Sequence, residues 1–144
     1  HLAVALFGKP KEVFYYPLKE WNGIDSSGVL ILIYPEWIVT SIGSKDSSSD
    51  YLAVIQGEKG TFRIGKGSTG KMEYIDFVAP ARENEKNEAE QISIDQGLHM
   101  VYEFADFGKA ISSHDEKAYE KYKEETLAAL SVLEEARAQM NARK

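Results

Sequence analysis

The order of apolar and polar positions divides the chain into a β-rich stretch followed by a helical one. Short runs rich in β-branched and aromatic residues occupy 12–16, 28–34, 37–42, 51–55, 61–64, 72–78 and 91–94. Turn-forming clusters separate them: Asn22-Gly23, Ser26-Ser27-Gly28, Pro35-Glu36 and Gly57-Glu58-Lys59-Gly60. That pattern predicts a succession of strands joined by short turns. The charged stretch 80–90 reads as a solvated loop. The period then changes. Leu98, Val101, Phe104, Phe107 and Ile111 recur every three or four residues, which is the stripe of an amphipathic helix. Ser112-Ser113-His114-Asp115 breaks it with residues suited to an N-cap. A last helix follows over about 116–141, with Tyr119, Tyr122, Thr126, Leu130, Leu133 and Met140 on its apolar face. Strands followed by helices predict an α+β fold, a mostly antiparallel open sheet with helices packed on one face.

Two segments depart from this regular pattern. The strand at 29–34, Val-Leu-Ile-Leu-Ile-Tyr, does not alternate. Helices cover one face of an open sheet, so an apolar strand on both faces needs a second cover. A second copy of the chain or the chain's own loops could supply it. In the first case Leu30, Leu32, Tyr34, Trp37 and Val39 are the expected oligomer contacts. The other segment is the start. Residues 1–7 are apolar, Gly8 can end a helix and Pro10 cannot continue one. So short a helix does not stand alone, which predicts a chain cut from a longer protein. The 144 residues suit one domain, 1–144.

Composition removes several functions. The net charge of −6 argues against a nucleic-acid surface, whose affinity rests on clustered Lys and Arg. The absence of cysteine excludes thiolate chemistry and disulfides, and suits the cytoplasm. No apolar run reaches the ~20 residues of a membrane span. His1, His99 and His114 lack metal-ligand spacing, so no metal is expected. Gly65-Lys66-Gly67-Ser68-Thr69-Gly70-Lys71-Met72 falls short of a phosphate-binding loop. Met72 stands where a magnesium-binding hydroxyl is required, and a strand pattern follows where a helix is required. Asp25 reads as a turn acceptor. Tyr15, Tyr16, Trp21, Tyr34 and Trp37 form an aromatic-rich set, assigned to core and interface packing ahead of sugar stacking.

Five segments spread along nearly the whole chain carry a family resemblance. They are LAVALFGKPKEV at 2–13, GIDSSGVLILIYP at 23–35, VIQGEKGTFRI at 54–64, MVYEFADFGKAI at 100–111 and YKEETLAALSVLEEARAQ at 122–139. In order and spacing the chain resembles the C-terminal domain of the Gfo/Idh/MocA oxidoreductases, the glucose-fructose oxidoreductase and inositol dehydrogenase group. The resemblance implies an N-terminal Rossmann domain that binds NAD or NADP, absent from this chain. It also implies an open sheet that forms one wall of the substrate pocket and pairs subunits through its outer face. The family's catalytic Lys belongs to the nucleotide-binding half, and its Asp-x-x-x-His or equivalent pair falls upstream of His1. No catalytic, cofactor-binding or metal residue is therefore expected here. The expected function is that of a fragment of an NAD(P)-dependent oxidoreductase acting on a sugar, polyol or related diol. It would supply a pocket wall and subunit contacts and be inactive alone. The alternative is a stand-alone ligand-binding or dimerisation module without redox activity.

Overall fold

The computed structural model of the chain describes residues 1–45, 47–48, 51–65, 72–80, 89–92 and 100–142. In chain order the elements are α1 (Leu2–Phe7), β1 (Glu12–Lys19), β2 (Asp25–Ile33), β3 (Ile38–Ser44), β4 (Tyr51–Gly57), β5 (Gly60–Gly65), β6 (Tyr74–Val78), β7 (Ala89–Ile92), α2 (Val101–Ser112) and α3 (Glu116–Ala142). Among the described residues every strand pair is antiparallel, in two meanders of order β1-β2-β3 and β4-β5-β6-β7. The α+β class expected from the pattern is the observed one. The chain divides into two compact units, His1–Ser47 with Ala110–Lys144, and Ser48–Lys109.

In the first unit, α1 ends at Gly8, whose φ of 75° favours glycine and whose N–H returns to Val4 O at 2.8 Å. The Tyr34 hydroxyl donates to the Gly8 carbonyl at 3.0 Å, fastening the helix end to the sheet. The sheet is in simple register: Val13 faces Leu32 and Leu32 faces Val39, while Phe14 faces Ile31 and Ile31 faces Thr40. Side chains alternate across a strand. Val13, Leu30, Leu32 and Val39 therefore share one face, and Phe14, Tyr16, Val29, Ile31, Ile33, Ile38 and Ile42 share the other. The core lies on the first face, where Val4, Val13, Leu32, Tyr34 and Val132 are all buried. Ala128 and Ala129 of α3 pack against this cluster. Gln139 clamps the same helix to β1: its Nε2 donates to Val13 O at 2.7 Å, and its Oε1 accepts from Tyr15 N at 2.8 Å.

This packing corrects the expected faces of α3. The helix buries Val132 and Ala136, a narrow seam of small residues that lets it approach the sheet closely. Tyr119, Tyr122, Leu130 and Leu133 are exposed instead. Its start matches the expected cap, since Asp115 Oδ1 accepts from Ala118 N at 3.1 Å. The stripe of α2 exists as a pattern, but Val101, Phe104, Phe107 and Ile111 are exposed, and Leu98 lies outside the described residues.

The second unit is a meander with Phe62 against Phe77 at 4.9 Å between ring centres. Arg63 pairs across strands with Asp76 at 3.5 Å, and its Nε is buried with no hydrogen-bond partner among the described residues. Residues 66–71 of the glycine-rich segment lie outside the described residues. The chain re-enters at β6, antiparallel to β5, so a strand and not a helix follows that segment.

Candidate functional site

Several polar side chains of the first unit meet at the β1–β3 sheet around Asp25. Tyr15 on β1 lies opposite Leu30 on β2, which lies opposite Ser41 on β3. At the start of β2, Asp25 Oδ2 accepts a hydrogen bond from the Tyr15 hydroxyl. Lys45, just past β3, donates to the main-chain carbonyl of Asp25, and its Nζ sits 3.7 Å from Asp25 Oδ1. One carboxylate thus ties all three strands together. A register irregularity at Leu18/Lys19 makes the geometry possible by setting Asp25 against Lys19 and Ser27 against Leu18.

The bridge shifts proton affinities in opposite directions. The Tyr15 phenol is pushed from 10.0 up to about 12, first by the hydrogen bond to Asp25, then by burial and the carboxylate's charge. Asp25 is held below its ordinary range, chiefly by the same hydrogen bond; burial opposes this and the Lys45 charge assists it. At neutral pH the bridge pairs a phenol with a carboxylate.

These groups line a cleft of about 280 Å³ whose walls include Tyr15, Asp25, Ser26, Leu30, Ser41 and Lys45. Its floor holds two glycines that face each other in register, Gly28 and Gly43. A Cβ on Gly28 would come within 2.7–2.9 Å of the Tyr15 ring, so glycine there lets the ring lie across the sheet. A Cβ on Gly43 would meet nothing within 4 Å. A larger groove of about 530 Å³ runs between α1 and α3, lined by Val4, Lys9, Lys121, Glu124, Glu125 and Leu127. Its Lys121 and Glu125 are paired with each other at 3.7 Å. The smaller cleft is the stronger candidate, because small-molecule sites are marked by polar groups aimed at a common point.

The residues singled out from the sequence fall differently. Leu32 and Tyr34, expected at a subunit contact, are buried inside this chain at 2% and 5% exposure. Leu30 and Val39 pack against the same core. Trp37 is partly exposed but stacks on Tyr34 at 6.0 Å and packs tilted against Phe7 at 5.8 Å between ring centres. The period-two geometry of β2 places Leu30 and Leu32 on the face that the helices cover. The apolar face left open carries Phe14, Tyr16, Leu18, Ile38 and Ile42, the last at 78% exposure. The aromatic set does not gather in one place either: Tyr15 is in the cleft, Tyr16 is on the open face and Trp21 is 95% exposed. Asp25 is a cross-strand bridge, and the turn acceptor is Asn22, which takes the N–H of Ile24 at 3.0 Å. His114 sits in the turn before α3, at a φ of 53°. His99 lies outside the described residues. Among the described residues no group of His, Cys, Asp or Glu is placed to hold a metal ion, and no helix is long and apolar enough to cross a membrane.

Sequence had already flagged Asp25 and Tyr15 singly. The pairing with Lys45 was not visible, because it depends on the β2–β3 register. The serines and glycines at 26–28, 41, 43 and 44 are the available signal.

No family model matches the chain. It is 33% identical over 139 residues to scyllo-inositol 2-dehydrogenase (NADP(+)) IolU of Bacillus subtilis, a match covering 96% of this chain and 40% of that protein. It is 42% identical over 64 residues to the uncharacterized oxidoreductase YgjR of Escherichia coli, covering 44% of this chain and 20% of that protein. Its fold matches a crystal structure from Klebsiella pneumoniae described as a candidate oxidoreductase. The TM-score is 0.70 at 18% identity, and the match covers 99% of this chain and 45% of the other. The chain spans well under half the length of the curated relatives it matches. Its sequence is similar to those of Gfo/Idh/MocA-like oxidoreductases, and its fold matches that of a part of one such structure.

Proposed function

We propose that this chain is the substrate-side and subunit-contact domain of a cytoplasmic NAD(P)-dependent oxidoreductase acting on a sugar, polyol or related diol, and that it is inactive by itself. The carrying observation is the match to an NADP-dependent inositol dehydrogenase, which runs through 96% of this chain. The hydroxyl-lined cleft on the core-side face supports the same reading, as one wall of a pocket for a multiply hydroxylated substrate. The nicotinamide cofactor belongs on a separate nucleotide-binding domain. A dinucleotide fold needs parallel strands joined by a helix, and every strand pair described here is antiparallel. In such an enzyme the cofactor carries the hydride chemistry, and the protein orients the substrate and moves a proton. Residues of this chain would contribute orientation.

The open apolar face of the β1–β3 sheet is the proposed subunit contact, which moves the expected contact from the Leu30–Leu32 side of the sheet to the Phe14–Ile42 side. Apolar patches of this extent mark interaction surfaces on soluble proteins.

The test is NADP⁺-linked oxidation of scyllo-inositol, followed by absorbance of the reduced cofactor. It is run on the chain alone and on the polypeptide encoded by the complete reading frame. Turnover only in the longer protein is the expected result. Saturable NADPH binding by the chain alone, or a complete reading frame without a nucleotide-binding domain, overturns the reading. The second outcome would favour a stand-alone ligand-binding or dimerisation module.

A further inference from the structure

We infer that the Tyr15–Asp25–Lys45 cleft is a selectivity subsite for neutral, multiply hydroxylated ligands, and that Gly43 sets the size it accepts. The argument begins with charge. The Lys45 ammonium is engaged by the Asp25 carbonyl and carboxylate, and the carboxylate is engaged by Lys45 and the Tyr15 hydroxyl. Each charge already has its counterpart, so an anionic or cationic ligand gains an ion pair only by breaking one. A neutral ligand can add hydrogen bonds while leaving the bridge whole. Hydroxyl groups suit this better than purely accepting or donating groups. Ser26 and Ser41 carry hydroxyls that both donate and accept, and the Tyr15 oxygen, while its hydroxyl donates to Asp25, keeps lone pairs that accept.

Size is the second argument. At about 280 Å³ the cleft falls just below the usual range of ligand sites, ~300–1,000 Å³, room for one ring and too little for a dinucleotide. The two floor glycines have different roles. Gly28 is required by the Tyr15 ring above it, whereas Gly43 faces open space. A side chain at position 43 would therefore occupy the volume a ligand would use. It would do so in an extended strand, where a β-branched residue is well tolerated.

The inference rests on the proposed oxidoreductase reading for the remaining pocket walls, and the experiment separates the two. The protein encoded by the complete reading frame is titrated calorimetrically with scyllo-inositol and with an inositol monophosphate, as wild type and as Gly43→Val. Turnover and melting temperature are recorded in parallel. The expected result is binding of the neutral cyclitol, with the phosphate ester no tighter. Gly43→Val should weaken cyclitol binding about tenfold or more without lowering the melting temperature. Should that variant melt early, Ser41→Ala takes its place, with weaker cyclitol binding and an unchanged melting temperature expected. The inference is overturned by no cyclitol binding, by a phosphate ester that binds more tightly, or by a folded variant that binds as wild type does. Glycine-dependent binding without NADP⁺-linked turnover would sink the oxidoreductase reading and leave the subsite. Turnover with the same KM in wild type and Gly43→Val would do the reverse.

Discussion

The two faces of the β1–β3 sheet are built from almost the same kinds of residue and end in different surroundings. On one, Val13 and Leu32 are buried under Val4 of α1 and Val132 of α3. On the other, Phe14, Tyr16, Ile38 and Ile42 remain between 38% and 78% exposed. The difference does not come from hydrophobicity, since Ile42 is as apolar as Leu32. It comes from what the chain places opposite. The covered face meets a helix seam of Ala128, Ala129, Val132 and Ala136, small enough for close approach, and that helix is fastened by Gln139. Where the seam ends, the same face turns polar and becomes the cleft. One face thus carries the core and the candidate cleft together, and the other carries a mainly apolar surface. Burial of apolar side chains is the main stabilising term in folding, so the covered face carries the single chain's stability and the open face does not.

Substitutions sharpen that contrast. The largest effect is expected from Leu32→Ala on the covered face. Removing a fully packed leucine should cost about 2–5 kcal/mol in denaturant unfolding. Gln139→Ala should cost roughly 1–3 kcal/mol, because it leaves the Tyr15 N–H and the Val13 carbonyl without partners under the helix. Tyr15→Phe should cost about 0.5–1.5 kcal/mol through the lost bond to Asp25.

The same bridge sets two pH windows. Tyr15 has a raised affinity for its proton in the fold. Its contribution is full below pH 10 and is lost as pH climbs toward about 12. Asp25 has a lowered affinity. Its contribution is present above the ordinary carboxylate value, ~3.9, and is lost as pH falls below that value. Thermal melts across pH should show both declines in the wild type and a weakening of both in Tyr15→Phe. The smallest effect on the folding of a single chain is expected from Ile42→Glu on the open face, within about 0.5 kcal/mol. An equal loss of stability at Leu32 and Ile42 would break the contrast between the faces.

The sequence pattern revealed the elements well and their facing poorly. The turns at Asn22-Gly23 and Gly57-Glu58-Lys59-Gly60, the change of period after the last strand and the break at Ser112-Asp115 are local signals, and each lies where the structure has a turn, a change of element or a break. The non-alternating run at 29–34 correctly indicated two apolar faces. Nothing within the run distinguished the inward face, because Leu30-Leu32 and Ile31-Ile33 are equally apolar. That distinction is made by α3, which lies about a hundred residues away in sequence. The same long range hid the true seam of α3. Tyr119, Leu130 and Leu133 look like a buried stripe, but the sheet accepts the alanine side. The cleft depended on two registers and one irregularity, so its serines and glycines were visible while the Asp25–Lys45 pairing was not.

The division of the sheet into a core-and-site face and a partner face is tested most directly by sedimentation of the wild-type chain beside an Ile38→Glu, Ile42→Glu variant over a wide concentration range. The predicted result is a two-chain mass for the wild type and a single-chain mass, still folded, for the variant. A wild type that stays monomeric at the highest concentration, or a variant that associates just as strongly, would contradict it.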